Sequence, residues 1–312
     1  MFSKPSKPKS QSDLNQMRKL GDKLAWITAY DFPSAYCSEK AGVDMILVGD
    51  SGAMVQYGMS RTSGISMELM IEMCKAVRIG APNTLAIGDM PRGSYEISSE
   101  EAVRNALRFA IQGECDFVKL EGASESILDR TKSISEAGVP VIGHIGLTPQ
   151  SLGVIANYKV VGRVDEEIGK LKRNVLDLTQ AGVACILLEA VPPNVAAMLR
   201  EISTVPIYGI GAGPEVDGQL LIYHDVIGYF PRFRPKFARL FAAEVLNSWR
   251  ERRSVSHDDD YMVGGVGEVV EMSIRLYVQS VKSGAFPDQK YCYPPINQEF
   301  ISSIFPNIKG NK

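Results

Sequence analysis

Residues Asp44–Gly52 read DMILVGDSG. The apolar run Met45–Val48 is followed at once by Gly49, Asp50, Ser51 and Gly52. A short apolar run bounded by turn residues is the pattern of a strand buried on both faces. Here the strand empties into a tight turn that carries a carboxylate and a hydroxyl. The arrangement returns twice downstream: residues 84–90 (TLAIGDM) carry Asp89, and residues 116–122 (DFVKLEG) carry Lys119 and Glu121. Successive strands that each deliver an acidic group near the C-terminal end fit a parallel barrel, where those ends share one rim and the rim holds the chemistry.

Outward from this stretch, strands and helices alternate. Strands are predicted at 23–29, 84–87, 117–120, 140–144, 184–188 and 205–210, with a faint one near 219–223. Helices are predicted at 12–20, opened by Ser12 or Asp13, at 33–42, opened by Pro33 and closed by Gly42, and at 66–79 with Ser66 as cap. Others follow at 99–112, where Ser98 and Glu101 resemble a capping box, and at 124–136, 166–180 and 194–202. The helix-to-strand joints KAGVD, QGECD, EAGVP and QAGVA each place glycine where a helix stops. This pattern predicts an α/β fold of the (β/α)8 TIM-barrel type, one domain over residues 12–287, rather than an open doubly wound sheet. No GxGxxG follows the first strand, which weighs against a dinucleotide fold. Residues 234–284 read as helices completing the outer layer, with 254–265 (SVSHDDDYMVGG) an exposed loop. Residues 1–11 read as a flexible arm and 288–312 as an extended tail.

The 312 residues are 45% hydrophobic and 22% charged, which suits a soluble globular chain with ample core. A formal net charge of −2 gives no support for a nucleic-acid or anionic-membrane surface. The N-terminal residues lack the apolar stretch of a secretory signal, and no apolar run approaches the roughly 18 residues of a membrane span, so a cytoplasmic protein is expected. Five scattered cysteines form no CxxC pair, so neither a zinc site nor a disulfide framework is indicated.

Read in order, the strand ends carry Tyr30 and Asp31, Asp50 and Ser51, Asp89, Lys119 and Glu121, His144, Glu189, and then GIGAG. Buried ion pairing is the competing reading of this set, with Lys119 neutralising Asp89 or Glu121. Oxygen ligands with no cysteine favour Mg2+, which takes one or two carboxylates and fills its shell with water and substrate. Asp50 and Asp89 are the direct-ligand candidates, and Glu121 suits a water-mediated contact. Lys119 suits a substrate carboxylate or carbonyl. Glu189, after the apolar residues CILL, has the setting of a general base whose pKa burial would raise, or of a structural partner for His144. His144 itself reads equally as a backbone hydrogen-bonding residue. GIGAGP is a weak phosphate-cradle signal that close backbone packing explains as well. The aromatics of 223–237 (YHDVIGYFPRFRPKF) read as core packing or as a surface that stacks on a flat ligand.

The ordered segments TAYDFPSA, VGDS, GDMP, EEAVRNA, VKLEG, GHIGLTPQS, LLEAVP, GIGAGPEVDGQ, HDVIGYFPRFRPKF and VKSGAFP together resemble the ketopantoate hydroxymethyltransferase (3-methyl-2-oxobutanoate hydroxymethyltransferase) family, over residues 23–287. The resemblance implies a (β/α)8 barrel that uses Mg2+ to transfer a one-carbon unit from 5,10-methylenetetrahydrofolate to 3-methyl-2-oxobutanoate in pantothenate biosynthesis. It implies Asp50 and Asp89 as metal and substrate contacts, Ser51 and Lys119 as substrate contacts, Glu121 as outer metal partner and Glu189 as proton acceptor; Tyr30 and His144 are accessory candidates by their places at strand ends. It also implies a homo-oligomer, such as a decamer, whose partners are a small 2-oxo acid and folate, not nucleic acid or membrane. The sequence departs from the family's usual text after VGDS, where leucine is replaced by Gly52 and TLPV by Thr62, Ser63, Gly64 and Ile65, and at Arg92, where an aromatic is usual. A paralogue acting on another 2-oxo acid, as a hydroxymethyltransferase or a folate-independent lyase or mutase, is the alternative. A non-catalytic barrel is disfavoured by the intact Asp50, Asp89, Lys119 and Glu189.

Overall fold

Eight strands pair in parallel in chain order and close on themselves: β1 Leu24–Thr28, β2 Met45–Val48, β3 Leu85–Asp89, β4 Phe117–Glu121, β5 Val141–Gly146, β6 Cys185–Glu189, β7 Ile207–Ile210 and β8 Gly218–Leu221. The structure, a computed structural model, describes residues 9–153, 159–255, 265–297 and 304–305. The helices are α1 Gln11–Leu20, α2 Phe32–Ala41, α3 Gly52–Val55, α4 Met67–Gly80, α5 Ser99–Ile111 and α6 Glu125–Glu136. They continue with α7 Asp165–Gln180, α8 Pro193–Ile202, α9 Tyr223–Ile227, α10 Phe241–Val255 and α11 Val266–Lys282. This is the (β/α)8 barrel read from the alternation, and the faint eighth strand is real. None of the described helices is long and apolar enough to cross a membrane.

The strands are buried along their whole length except at the ends of β5 and β6, which is why each reads as an unbroken apolar run. β8 is faint in sequence because its first residue must be glycine. A Cβ on Gly218 would sit 2.2 Å from the Leu24 carbonyl oxygen, so only glycine lets β8 approach β1 at the seam. The seam is pinned from outside by α11. There the Tyr277 hydroxyl lies 2.9 Å from the Trp26 carbonyl and 2.6 Å from that of Gln219, sharing its proton between β1 and β8.

Side-chain caps set the starts of α1, α2, α4, α5 and α6. Ser66, Ser98 and Ser124 each accept the backbone N–H three residues on, and Asp31 does the same for α2, whose first turn contains Pro33. α1 begins earlier than expected: Ser10, not Ser12 or Asp13, is its cap, and Asp13 reaches back to the Ser10 N–H to complete a two-way box. On the N-terminal side of the barrel, Asp44 accepts the Ala25 N–H at 2.9 Å. It also pairs with Lys9 at 2.9 Å and with Lys282, at the end of α11, at 3.1 Å.

Other boundaries differ from expectation. β8 stops at Leu221, and the residues that follow turn into the short helix α9. Residues 234–240 are irregular, with one turn at 236–237, and not helix, because Pro235 interrupts them before α10 starts at Phe241. Of the expected loop 254–265, residues 256–264 lie outside the described residues, as do 1–8 of the expected arm and 298–303 and 306–312 of the expected tail. The described part of the tail contains a 3-10 turn at Gln289–Tyr291 and is anchored: Asn194 exchanges two hydrogen bonds with Ile296, and Phe305 is buried.

Candidate active site

Residues two apart on a strand face the same way, so Lys119 and Glu121 both point into the barrel mouth. Register does the rest: Asp89 lies beside Lys119, and Glu121 beside His144. Asp50, Ser51, Asp89, Lys119, Glu121, His144 and Glu189 thereby line one cavity of about 300 Å³ at the C-terminal ends of the strands. Tyr30 does not line it. Its ring sits behind the wall, and its hydroxyl shares a 2.8 Å hydrogen bond with Ser51 Oγ.

Lys119 is the hub. Its Nζ lies 2.8 Å from Asp89 Oδ1, 3.7 Å from Glu121 Oε1 and 3.2 Å from His144 Nδ1. Burial pulls its pKa down, but Asp89, Glu121 and Asp50 more than reverse that, so the ammonium is held above the ordinary lysine value. Lys119 is a fixed cation and not a proton acceptor. The ion-pair reading of this cluster is therefore partly right, yet one lysine cannot balance Asp50, Asp89 and Glu121 together. Burial raises the pKa of all three carboxyls, with Lys119 opposing.

Asp50 Oδ2 is buried and accepts no hydrogen bond, while Asp89 Oδ1 is buried with only the Lys119 ammonium, 2.8 Å away, beside it. The other oxygen of Asp89 accepts the Asp50 N–H at 3.0 Å, which brings the two residues together. Two carboxylate oxygens whose one neighbouring donor is the Lys119 ammonium fit the sparse protein ligation of Mg2+. Among the described residues there is no group of three or more His, Cys, Asp or Glu placed to hold a metal, so softer, protein-rich coordination is not supported. Glu121 has no oxygen to spare: Oε1 is 3.1 Å from His144 Nδ1, and Oε2 accepts the Gln150 N–H at 3.0 Å. That suits an outer, water-mediated contact rather than direct ligation.

Glu189 ends β6 with its side chain only 16% exposed, its Oε2 3.2 Å from His144 Nε2. Burial raises its pKa, and His144 restrains the rise. Burial and the Lys119 charge lower the His144 pKa, partly offset by Glu189, so the imidazole is neutral at physiological pH. The neutral imidazole has a single N–H, which serves either Glu121 from Nδ1 or Glu189 from Nε2 and not both, so the two readings of Glu189, base and partner of His144, both stand.

The structure adds residues that strand ends do not reveal. Gln150 donates its backbone N–H to Glu121 and its Nε2–H to the Met90 carbonyl at 3.0 Å, while its Oε1 accepts the Tyr95 hydroxyl at 2.6 Å. Arg92, a new cation at the mouth by sequence, donates to the Gln150 carbonyl and so holds this loop. Thr62 and Asp225 also line the cavity. Both Gln150 and Asp225 stand in segments noted above, GHIGLTPQS and HDVIGYFPRF, but in a 3-10 turn and in α9, elements too short for spacing to assign a role. For GIGAGP the packing explanation holds. A Cβ on Gly211 would lie 2.5 Å from the Phe237 ring, and one on Gly213 would lie 2.4 Å from Pro193.

A family model described as ketopantoate hydroxymethyltransferase matches residues 9–289. The 3-methyl-2-oxobutanoate hydroxymethyltransferase of Alkaliphilus metalliredigens is 42% identical over 305 residues, 97% of this chain and 100% of that protein. The enzyme of the same name from Bacillus subtilis is 37% identical over 297 residues, 95% and 99% of the two chains. Among solved structures, phosphonopyruvate hydrolase superposes with a TM-score of 0.57 at 15% identity, covering 88% of this chain and 98% of that one. A 2,3-dimethylmalate lyase superposes with a TM-score of 0.54 at 14% identity, covering 86% and 98%. At that identity these two show the shared barrel fold alone.

Proposed function

The chain belongs to the ketopantoate hydroxymethyltransferase family, and on that premise we propose that it transfers a hydroxymethyl group from 5,10-methylenetetrahydrofolate to 3-methyl-2-oxobutanoate, giving 2-dehydropantoate for pantothenate biosynthesis. The observation that carries the reading is one cavity that holds the Asp50 and Asp89 carboxylates, with Asp50 Oδ2 free of donors and Asp89 Oδ1 beside the Lys119 ammonium alone, together with the half-buried carboxyl of Glu189. We assign Mg2+ to Asp50 and Asp89, with Glu121 as its outer partner. Bound there, Mg2+ supplies the Lewis acidity that makes C3 of a 2-oxo acid a stronger carbon acid.

The protein's own residues account for the rest. Ser51, braced by Tyr30, hydrogen-bonds the substrate carboxylate, and the fixed charge of Lys119 holds the keto oxygen as negative charge develops on it. Glu189 removes the C3 proton, its raised pKa bringing it closer to that of the carbon acid. One C–N bond of the methylene bridge opens, C3 bonds to the methylene carbon, and water then displaces the remaining folate nitrogen. The water oxygen becomes the new hydroxyl, the C3 proton and a water proton go to the two folate nitrogens, and tetrahydrofolate leaves. Apolar walls around the mouth exclude water while the carbanion exists. Met54, Val55 and Thr62, in and beside the altered stretch, line the cavity and are assigned to reading the oxo acid's side chain. A cytoplasmic homo-oligomer, the decamer included, belongs to the same reading.

The test is transfer itself. Purified protein with Mg2+, 3-methyl-2-oxobutanoate and methylenetetrahydrofolate should form 2-dehydropantoate, and the gene should restore growth of a pantothenate auxotroph. C3 exchange in deuterated water with no one-carbon transfer to any branched 2-oxo acid would instead point to a folate-independent lyase or mutase.

A further inference from the structure

The cavity has two unlike halves. β2–β6 supply the charged groups, whereas the wall from β8 to Phe237 is apolar but for one carboxyl, Asp225. Asp225 is 6% exposed and lines the cavity, and its side chain makes no hydrogen bond or ion pair among the described residues. Burial lifts its pKa to about 7, opposed by the charge of Arg234. A buried carboxyl left without donors is costly, and such a group in a cavity wall is one whose donors arrive with a ligand.

The surroundings say what kind of ligand. Leu220 and Ile222 line the cavity with the rings of Phe230 and Phe233, which meet edge to face at 5.4 Å. The two readings of the aromatic segment 223–237 separate here. Phe237 is a core residue, 7% exposed against Gly211, but Phe233 is 49% exposed at the mouth and serves no core. Aromatic faces beside a single carboxylate suit a flat ring with two adjacent N–H donors. The faces take the ring, and the carboxylate takes both hydrogens in a bidentate pair. A 2-oxo acid offers no such donors, and the groups of β2–β6 already provide for it.

We infer that Asp225 and the Phe230–Phe233 wall bind the pterin ring of the one-carbon donor, the carboxylate accepting the 2-amino and N3 hydrogens. The inference rests on the folate-dependent reaction proposed above and adds where its donor is recognised and by which atom pair.

Calorimetric titration of the full chain in Mg2+ buffer with tetrahydrofolate and with its 2-desamino-2-methyl analogue tests it. The wild type should prefer tetrahydrofolate by at least about tenfold, the worth of a hydrogen bond to a charged group. Asp225→Asn should lose that preference while its affinity for 3-methyl-2-oxobutanoate stays within about twofold of wild type. Equal affinity of the wild type for both ligands overturns the assignment without recourse to any variant and leaves folate-dependent transfer standing. Retention of the preference by Asp225→Asn also overturns it. Failure of the wild type to bind tetrahydrofolate at all removes both the assignment and the donor on which it rests.

Discussion

At the scale of single residues, the site divides its labour by protonation state. Lys119 is locked as a cation by its carboxylates, and His144 is kept neutral by burial and by that same cation. Glu189, its pKa raised by burial above the ordinary glutamate value, is the group assigned above to proton transfer. Glu189→Gln should lower kcat by about 10²–10⁴-fold with little change in KM for the oxo acid, measured by steady-state 2-dehydropantoate formation. The sign of the pH dependence follows from the direction of the shift. The base acts when deprotonated and its pKa is raised, so kcat/KM should be full above that pKa and fall as pH drops through it. The limb should lie above the ordinary glutamate value of 4.5, and the residual rate of the glutamine variant should lack it. Every group in this division was legible in the sequence because each interrupts an apolar strand end, where an ionisable residue needs a reason. Tyr30 was legible as a member of the site, but its place behind Ser51 was not. Gln150 was not legible, since its backbone N–H is what holds Glu121, and a backbone group carries no sequence signal.

At the scale of elements, the turn after β2 decides how Ser51 is presented. Ser51 leads directly into α3, and Gly52 lies under the Tyr30 ring, where a Cβ would meet Tyr30 Cδ1 at 2.9 Å. The departure from the family's leucine is thus matched to a close-packed tyrosine that bonds Ser51. Gly52→Ala should push the Tyr30 ring away, cost about 1–3 kcal/mol of stability by overpacking, and raise KM for the oxo acid more than it lowers kcat. Chemical denaturation and steady-state kinetics read the two effects. An unchanged KM would show that Ser51 holds its position without Tyr30. The long helices and seven of the strands were legible from apolar runs, caps and glycine stops. α3 and α9 were not, because helices of four and five residues are too short to show a period. Their form comes from the packing around them.

At the scale of the molecule, closure of the barrel was legible only as a count of units, since the β1–β8 seam depends on Gly218 and on a tyrosine far along the chain. Tyr277→Phe removes the hydroxyl shared by the Trp26 and Gln219 carbonyls and should lower stability by about 1–2 kcal/mol, seen as a lower urea midpoint at unchanged slope. Turnover should be unaffected, because Tyr277 touches the seam and not the mouth. Subunit contacts of the proposed homo-oligomer would fall on the outer layer, where the rings of Phe32 and Tyr36 stack and stand half-exposed. Sedimentation velocity should accordingly show a species well above the 34.2 kDa of one chain.

Asp44 holds Lys9, the Ala25 N–H and Lys282 at once, at the end of the barrel opposite the cavity. One carboxylate thereby fastens the segment leading into α1, the first strand and the last long helix to one another. Chain ends ordinarily open first and independently. Here the amides of α1 and of the last turn of α11 should exchange with deuterium as a single cooperative unit, and Asp44→Asn should split that unit into two with separate rates.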